Sequence, residues 1–442
     1  MRLRRHFFPL FLIGITILPS VLGSLIYLRT TALNEVELPR LAQTDDSWIL
    51  PLNYSVMNFI LDSNRCIYLA GPKNLTKFDS TMNMLWSTEY QSNYTHNNVL
   101  LTTSSMNDII LAPDAIEYYY LDAPNDIIFY KFNSTGEVLW NRTWGISNAY
   151  EDIYDIATDL EDNIYIYGCS LGLEYNITKF ILKYNSTGDL LWYHVLATYD
   201  HEFDWSQTYD GWLNYAIQVD SNNNMIITSQ NYTGFWIQCL NSSRELEWSI
   251  SREIESGFYS SYEKFAPLIL DSQDRIITFN NRFVYKYDGN GKLHKQYSLD
   301  LKSRYLLVDP SIEFIPMNLA LGANDTIYFS ARVSIHYEDS NILILKLEED
   351  WDTEDLILTE GREHKMQVDH LSNVFLLSWT WEEGDFLIKN PKHNGDVFYN
   401  PSMMNFFIIS LSIFGIIAIA ALAGLIIPKV IGNRRLRHTN PN

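Results

Sequence analysis

Two ten-residue stretches of this chain are nearly identical: Lys131-Phe132-Asn133-Ser134-Thr135-Gly136-Glu137-Val138-Leu139-Trp140 and Lys183-Tyr184-Asn185-Ser186-Thr187-Gly188-Asp189-Leu190-Leu191-Trp192. They are the clearest part of a longer repeat. A polar turn starts near Asp62, Ser104, Asp159, Asp220, Asp271, Gly322 and Asp369, and at a fixed offset an apolar residue follows: Ile67, Ile109, Ile164, Met225, Ile276, Ile327 or Val374. Asn, Asp and Ser fill these turns, as in Ser221-Asn222-Asn223-Asn224, because they tolerate left-handed backbone and bond to their own main chain. Alternating apolar residues on either side mark strands, as in Tyr215-Ala216-Ile217-Gln218-Val219. A period of about 40–60 residues carrying four short strands predicts an all-β propeller, most simply with seven blades.

The second hairpin has its own turn, with a glycine suited to positive φ at Gly136, Gly188, Gly289-Asn290-Gly291 and Gly395. A large aromatic then follows at Trp86, Trp140, Trp192, Trp248 and Tyr399. A ring repeated in most blades is read as packing between neighbours, burying about 150–250 Å² each. The fifth and sixth copies depart from the pattern, with Lys295 in place of tryptophan and Glu348–Asp352 in place of the glycine turn. The segment Ser47–Leu52 is expected to add an outer strand to the last blade and seal the ring.

The ends differ from the middle. Met1–Leu28 opens with Arg2, Arg4 and Arg5 and turns apolar, as a signal peptide or an N-terminal anchor does. Phe406–Ile427 is uncharged, long enough to cross a bilayer, and precedes Lys429, Arg434, Arg435 and Arg437. The expected organisation is a leader over 1–28, a propeller over 47–400, a transmembrane helix over 405–428 and a short basic cytoplasmic tail over 429–442. The propeller is thus expected outside the cell on a single-pass anchor. Sequons at Asn53, Asn74, Asn93, Asn133, Asn141, Asn176, Asn185, Asn231, Asn241 and Asn324 predict a glycoprotein. The charge of −21, with no basic stripe between the termini, excludes nucleic acid as a partner. Cys66, Cys169 and Cys239 are too few and too far apart for a disulfide framework or a zinc site.

The Lys-Tyr-Asn-Ser-Thr-Gly-Asp-Leu-Leu-Trp motif, its copy at 131–140 and Ile164-Tyr165-Ile166-Tyr167-Gly168 resemble the bacterial and archaeal β-propeller repeat family of secreted and surface proteins. They are also similar to quinoprotein-like and SBBP-type repeats. The resemblance covers about residues 55–400 and implies a propeller, export, and a binding or adhesive role. It carries no catalytic residue. The vicinal cysteines of quinoprotein dehydrogenases are absent, and the glycine-to-tryptophan spacing differs from the sialidase turn. No cofactor and no metal are expected. Asp62-Ser63-Asn64, Asp220-Ser221-Asn222 and Asp271-Ser272-Gln273-Asp274 lack the run of a calcium loop and read as turns.

Long loops on a rigid scaffold are where function concentrates. They mix aromatics with acids, and the candidate binding residues are Tyr119, Asp200, His201, Asp204, Trp205, Trp212, Tyr259, Trp379 and Trp381. The first expectation is a non-catalytic surface binding or adhesion module for a glycan or protein ligand. The alternatives are a propeller hydrolase or lyase using acids such as Asp200, Glu202 or Asp204, and a structural envelope or surface-layer component.

Overall fold

The structure, a computed structural model, describes residues 48–52, 55–92, 98–114, 126–172, 176–199, 215–230, 234–253, 267–280, 283–299, 312–335, 339–347, 354–360, 362–380 and 384–390. The strands form seven antiparallel four-stranded sheets, and each sheet is one blade. Blades 1 to 6 take consecutive strands, starting at Asn58, Asn98, Ala149, Tyr215, Leu268 and Ile312. Blade 7 is composite: Arg362–Val368, Val374–Thr380 and Gly384–Asn390 are followed by Trp48–Pro51 from the start of the chain. Leu50 pairs with Leu387 and Pro51 with Phe386, so the ring is sealed by the expected segment. The copy-seven turn near Gly395 and the ring of Tyr399 lie outside the described residues. The fourth place in that blade belongs to the N-terminal strand.

Each sheet has two faces, and both are buried. In blade 3, Ile164 and Ile166 pack toward blade 2, while Tyr165 and Tyr167 pack toward blade 4. Strict alternation along one strand thus feeds two different cores, and the strand reads as an unbroken apolar run. Seven apolar clusters result, one at each seam, including Phe59, Ile67 and Leu69 of blade 1 against Phe375, Leu377 and Leu387 of blade 7. All three cysteines are free, so burial stabilises the ring.

The repeated aromatics fill the outer parts of these seams. Trp86 of blade 1 lies over Gly136 of blade 2 and donates its indole N–H to the Ser134 carbonyl at 3.1 Å. Trp140 meets Gly188 and Ser186 of blade 3 in the same way, and Trp248 meets Gly291 and Gly289 of blade 5. In blade 4 the glycine position is held by Arg244, whose guanidinium covers Trp192 with 5.5 Å to the ring centroid. The turn glycine is therefore needed twice, for its positive φ and for contact with the neighbour's indole.

Substituting Gly188 by Ala tests this double demand. Its φ is +82° and a Cβ would stand 2.9 Å from Trp140 Cδ2. A loss of about 2–4 kcal/mol is expected from the left-handed backbone and overpacking together. Gly172→Ala, where the nearest atom is 3.8 Å away, is expected within about 0.5 kcal/mol of wild type. Thermal unfolding of the two variants checks the contrast.

Candidate functional site

The described hairpin turns, two in each of blades 1 to 5 and the first in blades 6 and 7, fall on one face of the ring, and the strand ends leading into the longer connections fall on the other. The turn face is a network of framework bonds. The first residue of the first turn accepts the N–H groups two and four positions on, as Asp159 does from Glu161 and Asn163. The fourth residue takes positive φ in every blade: Arg65, Asn107, Asp162, Asn223, Asp274, Asp325 and Ser372. Asn and Asp bear this conformation best, and here Asn107, Asp162, Asp274 and Asp325 also accept from the preceding blade, while Asn223 donates to Glu161. Ser105 donates to Asp162, Ser221 to Asp274 and Ser272 to Asp325.

A second element of the network was not read from the sequence. Six of the seven third strands carry lysine at the last position but one: Lys77, Lys131, Lys183, Lys286, Lys346 and Lys389, with Cys239 in blade 4. Lys183 reaches Asp159 at 3.1 Å and Lys286 reaches Asp271 at 2.9 Å, with both carboxylates buried. Burial alone would raise these acids. The bonds from Asn163 and Lys183 to Asp159, and from Lys286 and Arg275 to Asp271, more than offset it and hold both below the ordinary range. Lys131, in the blade where Ser104 replaces the turn aspartate, pairs with Asp108 instead. The signal was present as Lys131 and Lys183 in the two best repeats.

The same logic absorbs several sequons. Asn133, Asn185 and Asn241 open second turns. Each accepts the N–H groups two and four positions on, and each directs its amide at Glu137, Asp189 or Glu245. Asn141 and Asn324 are exposed, and Asn74 and Asn176 are partly buried. Asn53, Asn93 and Asn231 lie outside the described residues.

Of the candidate binding residues, Trp379 is placed near the loop-face end of a blade 7 strand, opposite Arg362 and Asp385. Tyr119, Asp200, His201, Asp204, Trp205, Trp212, Tyr259 and Trp381 lie outside the described residues, and so does Glu202. Among the described residues no group of three or more His, Cys, Asp and Glu is arranged to hold a metal ion.

Two other polar features depart from the framework. The innermost strands touch one another around the axis, and four residues before the first turn they carry Asn58, Leu100, Asp155, Ala216, Pro267, Asn318 and Lys365. Asn58 bonds the Phe59 N–H and the Val99 carbonyl of the next blade. Asp155 does the same work with the N–H groups of Ile156 and of Ile217 in blade 4, both at 2.9 Å. Asp155 and Lys365 belong to blades on opposite sides of the axis and attract one another. Both keep some exposure at the inner edge, yet protein surrounds them. That desolvation pushes Asp155 up to about 6, and brings Lys365 down to about 8 despite the nearby carboxylate.

The second feature lies on the loop face at the seam of blades 2 and 3. A shallow hollow of about 300 Å³ is lined by Ile146, Ser147, Asn148, Ser170, Asn176 and Thr178 among others. Behind it Glu151, 2% exposed, accepts the Ile146 N–H and the Ser170 hydroxyl, each at 3.0 Å.

No protein-family model matches the sequence, and no curated protein matches it. Among solved structures the chain is similar to the WD40 domain of Neurospora crassa Pan2, with 9% identity, TM-score 0.47, and coverage of 80% of this chain and 98% of that one. It is similar to the WD40 domain of SCAP from fission yeast, at 8% identity and TM-score 0.40, over 80% and 90% of the two chains. It is also similar to a Bacteroides caccae protein of unknown function, at 11% identity and TM-score 0.33, over 57% and 84%. All three scores lie below 0.5, and the seven-bladed architecture stands on the strand pairing of this chain.

The axial pair gives a signed pH dependence. Below about pH 6 folded Asp155 holds a proton that the unfolded chain, at 3.8, releases earlier, so its contribution to stability falls as pH rises from about 4 to 6. Folded Lys365 loses its proton at about 8 against 10.5 unfolded, so its contribution rises with pH between those values. The pair is costliest between pH 6 and 8. Melting temperature against pH is expected to lose both slopes in Asp155→Asn/Lys365→Met. Asp155→Ala alone is expected to cost about 1–3 kcal/mol, because it leaves the N–H groups of Ile156 and Ile217 without their acceptor.

Proposed function

We propose that this chain is a non-catalytic binding platform, exported and tethered by the apolar segment Phe406–Ile427, whose long-loop face engages a glycan or protein ligand. The observation that carries this reading is where the chain enters and leaves the ring. Trp48 pairs with Lys389, and Asn390 pairs with Val374, the residue just past the blade 7 first turn. Both ends therefore depart from the turn face. The longer connections leave from the opposite face, so a partner can approach them without meeting the strand ends Trp48 and Asn390.

The polar groups on the two faces support the same division. On the turn face, acids, amides and lysines are committed to holding turns and seams. The aromatic and acidic residues of the longer connections, from Tyr119 to Trp381, stand outside that scheme and supply ring faces and hydrogen-bond acceptors for a partner. In this reading Met1–Leu28 directs export, the tail after Lys429 is cytoplasmic, and the exposed Asn141 and Asn324 are better glycan acceptors than the turn-forming Asn133, Asn185 and Asn241.

Two measurements on the full chain in membranes test the proposal. In intact cells an impermeant maleimide is expected to label a cysteine at Ser147, and to label one at Asn440 only after permeabilisation; labelling at Ser147 only after permeabilisation contradicts export. On a glycan array and against intact cells, Trp205→Ala/Trp381→Ala is expected to weaken binding at least about tenfold with an unchanged melting temperature. Undiminished binding contradicts the assignment of the loops.

A further inference from the structure

We infer that Asp126 and Glu151 form a binding site for a hard divalent cation, with calcium the best fit, at the loop-face seam of blades 2 and 3. The inference rests on an unpartnered atom and on two carboxylates brought together over a residue with no side chain. Glu151 Oε1 is satisfied by Ile146 and Ser170, but Oε2 is buried and has no hydrogen-bond partner. A buried carboxylate oxygen left in this state costs free energy unless a proton or a cation meets it.

The absence of a side chain at Gly145 is what lets a second carboxylate approach it. A Cβ on Gly145 would stand 2.9 Å from Glu151 Oε2 and 2.7 Å from Asp126 Cγ, and it would collide with Asp126 Oδ1. Two carboxylates from different blades thus converge on one bare stretch of main chain. They are not hydrogen-bonded to each other, and their like charges repel: burial, with Asp126 adding to it, raises Glu151. Asp126 is exposed, so the space opens to solvent.

All the donors are oxygen, the preference of calcium and magnesium rather than of zinc or copper. Two carboxylates with irregular spacing leave most positions to water. Calcium tolerates that arrangement, whereas magnesium demands a near-ideal octahedron. A dissociation constant of about 10⁻⁴–10⁻³ M is expected, the range of extracellular calcium modules. The bound ion would tie the end of blade 2 at Gly145 to the inner strand of blade 3. Through the Ile146 bond to Glu151 it would also fix one wall of the adjoining hollow.

Equilibrium dialysis of the full chain with radioactive calcium, paired with thermal unfolding, tests the site. One saturable calcium ion per chain is expected, with a rise in melting temperature, a smaller rise in equimolar magnesium, and tighter binding at pH 7.5 than at pH 5. Glu151→Gln keeps an oxygen for Ile146 and Ser170, and Asp126→Asn alters an exposed residue, so both are expected to fold. Each is expected to weaken saturable binding at least tenfold. The inference is overturned if wild type shows no saturable site up to about 10 mM, ten times the weak limit of about 1 mM for such modules. It is also overturned if both variants bind calcium as wild type does, which would assign the uptake to diffuse attraction by the acidic surface.

Discussion

Every blade must bury two faces, and no second layer is available to cover either. A sheet such as blade 3 sends isoleucines one way and tyrosines the other, and each set is covered only when a neighbouring blade stands on that side. This requirement passes from blade to blade and is met at the ends only if the first blade packs on the last. The seam joining Phe59 and Leu69 to Phe375 and Leu387 is where the condition is satisfied, and the strand Trp48–Pro51 holds it in register. The tryptophan–glycine contacts, the turn clasps and the lysine–aspartate pairs refine a geometry that two-sided burial already demands.

Charge is used sparingly within this frame despite the overall excess of acid. The described turn aspartates are placed where backbone N–H groups can meet them, and a lysine also reaches Asp62, Asp159 and Asp271, so they hold local structure. Acids outside these positions are different in kind. Asp155 bridges two inner strands while facing a cation across the axis, and Glu151 has one oxygen satisfied and one not. Such departures from a repeat are where a chain carries something beyond its own folding.

Much of the ring was legible in the sequence because its determinants are local. All seven first turns and the inter-blade role of Trp86, Trp140, Trp192 and Trp248 follow from turn chemistry and alternation, and the sealing strand from the need to cover an exposed edge. The last blade shows where locality fails: the turn near Gly395 matched the repeat, yet the outer strand is supplied by Trp48–Pro51, a pairing set by ring closure rather than by neighbouring sequence. The recurrent spacing of Lys77, Lys286 and Lys346 was visible in principle, but the turns after Lys77 and Lys346 lack the glycine that aligns the other copies. Asp155 with Lys365, and Asp126 with Glu151, were not legible, since each pair comes from two different blades. Of the candidate binding residues only Trp379 has a described place, so the long loops stand on their composition and on the face they occupy.

Ring closure is tested most directly by disulfide trapping between Leu50 and Leu387, which face one another in register. The Leu50→Cys/Leu387→Cys chain is expected to form an intramolecular bond under mild oxidation, at low protein concentration, and to melt at higher temperature when oxidised than when reduced. Failure to cross-link, or cross-links only between chains, would contradict a ring closed by its own N-terminal strand.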